Sequence, residues 1–355
     1  MGIFRLRIFP TIPSMKKPWI IHRSTKRPQS TLRVPSAPGS LSQRLPANSW
    51  DSHMHIVDPS HYPFSSTAAY TPSKPHTLSD ALSFESTLGI RNLVLVQPSI
   101  YGYDNTCLLD GLKQLGPSHG RGVVCFDAAT INVKRRHDDN DSSLTTWHRL
   151  GVRGVRLNFV SVPQQLSARE LERTLHKYAD IIRGFGWVLQ LYAPMQNMPD
   201  LLHIIPQLGV KVCLDHFAKP TLPSSSSSSS SSSLSSLSSS SLSLSSSPFN
   251  PYALPGFTSL ISLLEQGSTY VKISAPYRLS DDPQFQHLGV LARELMRAGK
   301  EQLVFATDWP HTRFEGVDIA PFAEASLRWC AEEDAGMAER LFRRNAEVLW
   351  DVKPE

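Results

Sequence analysis

The chain has 355 residues, 40% of them hydrophobic, enough to fill one large α/β barrel or two ordinary domains. Its net charge of +5 is uneven: residues 1–50 hold nine Lys or Arg and no acid, which leaves −4 for residues 51–355. A mildly acidic body without interleaved basic and aromatic residues argues against a nucleic-acid surface, and no apolar run approaches the roughly 18 residues of a membrane span.

Residues 1–48 read as a disordered or cleaved leader. Its acid-free, Arg- and Ser-bearing composition is compatible with a mitochondrial presequence, although Pro10, Pro13 and Pro18 interrupt its helical form. The cytoplasm is the expected location, with the mitochondrial matrix as the alternative. Cys107, Cys125, Cys213 and Cys330 are scattered, which argues against a disulfide framework or a thiolate zinc site.

From Ser49 onward, short apolar runs alternate with helical patterns. Strands are predicted at 50–55, 91–97, 121–126, 152–158, 187–192, 210–215, 269–274 and 302–307. Most are continuously apolar, as in a parallel sheet covered on both faces. Helices are predicted over Leu78–Leu88 after Thr77, over 105–115 before Gly116, and after the Ser167–Glu170 capping-box pattern. Further helices follow at 198–208, 256–266, 284–298, 320–333 and 337–345. Eight strands with helices between them favour a (β/α)8 TIM barrel over residues 49–355. Ser224–Ser247 is serine broken only by four leucines; it cannot bury enough apolar area and reads as a disordered insertion after strand six.

Three runs end in His or Asp at the same relative place: Asp51-Ser52-His53-Met54-His55, Leu214-Asp215-His216 and Thr307-Asp308-Trp309-Pro310-His311. In a parallel barrel such residues share one mouth. His53 and His55, two apart on a strand, lie on one face and can bind a metal ion or an oxyanion. Asp308 fits a general base, although an Asp after a strand is also a common turn former. His216 fits the same site or a backbone-bonded core histidine, and His311 the rim. Arg156 ends strand four and meets either an anion or an internal carboxylate. Tyr192, Arg278 and Ser99 end or follow strands and are candidates for substrate contacts.

From Trp50 to Trp350 the chain resembles the amidohydrolase-related proteins, most closely the 2-pyrone-4,6-dicarboxylate lactonase branch. The resemblance is carried by the three segments above together with Tyr70-Thr71-Pro72, Tyr103-Asp104-Asn105, Arg153–Val160, Lys219-Pro220 and Arg278-Leu279-Ser280. It implies a (β/α)8 barrel that hydrolyses a lactone, with His53, His55 and His216 at the substrate carbonyl and Asp308 activating water. It also implies that Tyr70, Ser99, Arg156, Tyr192 and Arg278 line the pocket. Asn158 and Tyr192 stand where metal-dependent relatives place Lys or Glu and His, so a binuclear centre is not expected. No cofactor is expected; the alternative is a single zinc on His53, His55 and Asp308, in an amidohydrolase or decarboxylase. Ser161-Val162-Pro163 replaces a stretch where the lactonases carry a basic residue for a substrate carboxylate, which points to a less highly charged lactone. The expected partner is a small-molecule substrate, with neither nucleic acid nor membrane. A third reading is a non-catalytic barrel that only binds.

Overall fold

When both faces of a strand are covered, successive side chains of one apolar run are buried in opposite directions. The computed structural model describes residues 39–68, 70–131, 143–160, 166–223 and 249–353, and its strands follow this rule. They are β1 (Trp50–Met54), β2 (Asn92–Val96), β3 (Gly120–Val124), β4 (Val152–Asn158), β5 (Val188–Tyr192), β6 (Val212–Leu214), β7 (Thr269–Ile273) and β8 (Leu303–Phe305). All are parallel and paired in chain order. Val94 and Val96 of β2 join Val123, Val188, Tyr270 and Val304 in one cluster; Leu93 and Leu95 pack into the larger one with the helices.

Closure falls between β1 and the chain just beyond β8. The Asp308 N–H donates to the His53 carbonyl at 2.9 Å and the His55 N–H to the Trp309 carbonyl at 2.8 Å. The two segments expected to carry the site are thus the seam of the barrel. Trp350, fully buried, packs with the inner cluster and donates from its indole to Ser52 Oγ at 3.2 Å.

The helices are α1 (Leu41–Arg44), α2 (Leu78–Leu88), α3 (Thr106–Leu115), α4 (Ser143–Arg149), α5 (Ala168–Ile182), α6 (Met198–Ile204), α7 (Phe257–Glu265), α8 (Gln286–Ala298) and α9 (Ala320–Glu333), with shorter turns after Met337. Thr77 and Ser167 both complete capping boxes, with Asp80 and Glu170. Gly89 ends α2 at φ 82°, the left-handed conformation that glycine adopts without a steric penalty.

Three features differ from the sequence reading or extend it. The ordered body starts upstream of residue 49: Leu45 is buried and Arg44 pairs with Glu324 at 2.6 Å, so residues 39–48 pack as part of it. Helix α4 was not predicted; it has only seven residues and buries one of them, Leu144, so it leaves no apolar stripe. Strand β1 holds one extra residue between Asp51 and Met54 relative to β2. With this irregularity Trp50 and Ser52 reach the barrel interior and His53 and His55 still reach the site. Residues 1–38 and the serine tract lie outside the described residues. None of the helices among the described residues is long and apolar enough to cross a membrane.

Asp51 stitches the seam from outside. Its carboxylate accepts the His53 N–H at 2.9 Å, the Thr307 N–H at 3.1 Å and the Thr307 hydroxyl. The fully enclosed Glu85 of α2 lies against it, and burial together with the Asp51 charge pushes the Glu85 carboxyl well above its ordinary range. Glu85 therefore holds the proton of the pair beside Asp51. A raised native pKa means that the folded state binds the extra proton, so stability from this pair is lost as pH rises above the ordinary carboxyl range. Glu85→Gln stays neutral at every pH. Urea unfolding at about pH 5 and about pH 8 should show the variant gaining on the parent at the higher pH; a gap that does not move with pH contradicts the shared proton.

Candidate active site

The ends of the strands deliver the expected side chains to one mouth of about 320 Å³. His55, His216 and Asp308 border it, together with Arg156, Tyr192 and Arg278; Tyr70 and Ser99 lie on its rim. His53 is fully buried and stands beneath the floor, 3.2 Å from His55 between the Nε2 atoms. The Asp308 Oδ1 atom lies 3.7 Å from His53 Nε2, 3.9 Å from His55 Nε2 and 3.8 Å from His216 Nε2. One carboxylate oxygen thus faces three ring nitrogens at nearly equal range. Each gap is too long for a direct hydrogen bond and leaves room for a shared reacting oxygen.

The other Asp308 oxygen is tied down. Oδ2 accepts from Arg278 Nε at 2.6 Å and from the Tyr277 hydroxyl at 2.7 Å. Asp308 sits at φ 62°, and His216, Phe217, Ala218 and Lys219 run consecutively at φ 53°, 55°, 57° and 49°. Left-handed backbone costs roughly 1–2 kcal/mol per non-glycine residue. Its concentration on the two segments that supply Asp308 and His216 marks conformations held by their surroundings.

A second charged layer supports the first. Lys272 of β7 is wholly buried, with Nζ 3.2 Å from His53 Nδ1 and 3.3 Å from Asp215 Oδ1. Asp215 Oδ2 accepts from Gln190 at 3.1 Å and from Arg156 Nε at 3.4 Å. His216 Nδ1 lies 2.8 Å from Ser274 Oγ. Burial raises the Asp215 carboxyl, but Lys272, His53 and Arg156 outweigh it and hold it well below the usual range. Burial also raises Asp308, and His216, Arg278, His53 and His55 again reverse the direction and keep it ionised. Burial pulls His55 and His216 down to about 4, so both rings are neutral near pH 7. Burial also holds His53 well below the ordinary histidine value, with Lys272 reinforcing it.

Several expectations are refined here. Arg156 pairs with the internal carboxylate of Asp215, and it also borders the mouth. Arg278 also borders the mouth, but its Nε is engaged by Asp308. His311 is not on the rim. It is buried between Phe84 and Tyr277, with ring centroids at 5.6 and 5.3 Å. Lys272, Asp215, Tyr277 and Arg313 are additional. A lysine inside the apolar run Tyr270–Ile273 was a usable signal for the first; Arg313, in the loop after β8, left none. Its guanidinium lies 4.6 Å over the Tyr70 ring, and it has no acidic partner among the described residues.

A metal ion tests poorly against this donor set. Ligand atoms of His53, His216 and Asp308 all fall within 4.8 Å of one another, with His55 alongside, so distance alone permits one ion. Charge argues otherwise. Arg156, Arg278, Arg313 and Lys272 stand against Asp215 and Asp308, an excess of two positive charges among these groups, with the three imidazoles around Asp308 neutral. Such a field favours an anion over a dication.

Comparison with known proteins follows the same lines. The amidohydrolase family model matches residues 50–352. A 4-sulfomuconolactone hydrolase from Hydrogenophaga intermedia is 26% identical over 282 residues, covering 78% of this chain and 79% of that protein. A 2-pyrone-4,6-dicarboxylate hydrolase from Comamonas testosteroni is 26% identical over 284 residues, covering 77% and 80%. An amidohydrolase from Burkholderia multivorans, solved with bound zinc, shares the fold at a TM-score of 0.58 and 17% identity, covering 86% of this chain and 100% of that one.

Proposed function

The chain belongs to the amidohydrolase family and is a hydrolase, and from that premise we propose that it opens a small cyclic ester bearing an anionic substituent. One observation carries the reading: Asp308 Oδ1 stands equidistant from three neutral imidazoles while Oδ2 is fixed by Arg278 and Tyr277. The lactone hydrolases among its relatives support the ester as substrate.

The lactone carbonyl approaches Asp308, His55 and His216 from the mouth, above the buried His53. Water attacks its carbon, a proton passes to Asp308 Oδ1, and the carbonyl oxygen gains charge against the imidazoles and guanidiniums. One such preorganised donor contributes about 10²–10³ in rate. The ring C–O bond then breaks, and Asp308 returns the proton to the leaving oxygen. A carboxylate held down by His216, Arg278, His53 and His55 is a weak base on its own, so a second acceptor for the water helps. Neutral His216 stands close enough to serve. Substrate anions are held by Arg156 and, at the mouth, by Arg313 stacked on Tyr70. Arg313 offers from the loop after β8 a cation that the Ser161-Val162-Pro163 stretch does not.

Asp308→Asn should lower kcat by about 10³ on a hydrolysed lactone. Exhaustive chelation of the parent should leave its rate unchanged. An Asn variant within a few-fold of the parent contradicts the base assignment, and chelator loss restored by zinc contradicts the metal-free reading. Arg313→Ala should raise KM by about 10-fold for a lactone with two anionic groups and leave a singly charged one nearly unmoved. Equal effects on both place Arg313 outside substrate recognition.

A further inference from the structure

The two histidines at the end of β1 are not equivalent. His55 Nδ1 lies 2.7 Å from the Val96 carbonyl. A carbonyl only accepts, so Nδ1 carries the hydrogen and Nε2 of the neutral ring presents a lone pair. His53 is oriented the other way. Its Nδ1 lies 3.2 Å from Lys272 Nζ, and an ammonium only donates, so the hydrogen of the neutral ring sits on Nε2. The two Nε2 atoms, 3.2 Å apart, therefore meet as donor and acceptor. Hydrogen bonds run one way, from Lys272 through His53 and His55 to Val96.

A competing arrangement would put the His53 hydrogen on Nδ1, donating to Asp215 Oδ1 at 3.3 Å. That oxygen is buried and has no aligned hydrogen-bond partner among the described residues, whereas the Lys272–His53 contact is aligned. Asp215 is engaged through its other oxygen, by Gln190 and Arg156.

We propose that Lys272 is a positioning residue that fixes His53 as a hydrogen donor and His55 as an acceptor, dividing the labour of the cage. In the hydrolytic reading, on which this consequence rests, the His53 Nε2–H is committed to His55 Nε2 and so holds the His55 ring in place beside Asp308 Oδ1, where the attacking water is received. The same polarity opposes a metal ion. A cation bound to both rings needs a lone pair on each Nε2, and for His53 that turns an N–H toward the Lys272 ammonium. Lys272 thus separates this cage from a metal-binding one built of the same side chains.

The test combines histidine-selective ¹⁵N NMR with Lys272→Met. In the parent, His53, assigned by its loss in His53→Gln, should show a hydrogen on Nε2, and His55 one on Nδ1. In Lys272→Met the His53 hydrogen should move to Nδ1, facing Asp215. kcat should fall about 100-fold with KM within a few-fold, and the variant should retain one zinc per chain through gel filtration where the parent retains none. A parent His53 with its hydrogen on Nδ1 overturns the proposal without need of a folded variant, and so does a folded variant with unchanged kcat and no zinc. If the parent hydrolyses no lactone yet shows the expected ring hydrogens, the proposed function fails and the His53 assignment stands.

Discussion

Everything at this site depends on how the barrel closes. β1 and β8 are remote in sequence, and each is too short to orient a catalytic group alone. Their juncture is made by backbone bonds from Asp308 and His55 and by the Asp51 carboxylate, which accepts from both His53 and Thr307. Because these bonds involve the very residues that carry the imidazole pair and the carboxylate, the seam and the site are one structure. A loosened seam would disturb the spacing of Asp308 and the imidazoles, and enzyme sites depend on such spacing.

The second constraint is electrostatic. Buried carboxylates and cations are stacked in two layers, Asp308 with Arg278 and Tyr277 above, Asp215 with Lys272 and Arg156 below. Each carboxylate is outnumbered by positive or donor groups, so both stay ionised in spite of burial. The histidines between the layers stay neutral. Neutral imidazoles can donate from one nitrogen and accept at the other, which a protonated ring cannot. The surplus positive charge favours an anion over a metal ion, although the ligand distances alone resemble those of a metal cage.

Much of this was legible in the chain. Eight apolar runs separated by capped helices gave the barrel, because strands covered on both faces must be apolar throughout. His53, His55, His216 and Asp308 were marked by their place at strand ends, where the fold itself dictates convergence. What was not legible depended on local geometry. The extra residue in β1 breaks the simple alternation that would put Trp50 and Ser52 on the face opposite His53 and His55. Tyr277, Arg313 and the Glu85–Asp51 pair act through contacts between remote segments, and no spacing rule connects them. Lys272 was visible as a charge in an apolar run, but only coordinates set it against the His53 ring.

The central claim is that neutral imidazoles, not protonated rings or a metal, surround the reacting carbonyl beside an ionised Asp308. The pH dependence of kcat/KM on a hydrolysed lactone tests it most directly. With His55 and His216 both drawn down to about 4 and Asp308 ionised below that, the profile should be flat through neutrality and fall only on an acid limb centred near 4. An acid limb at about 6.5, the value of an ordinary histidine, would contradict the account.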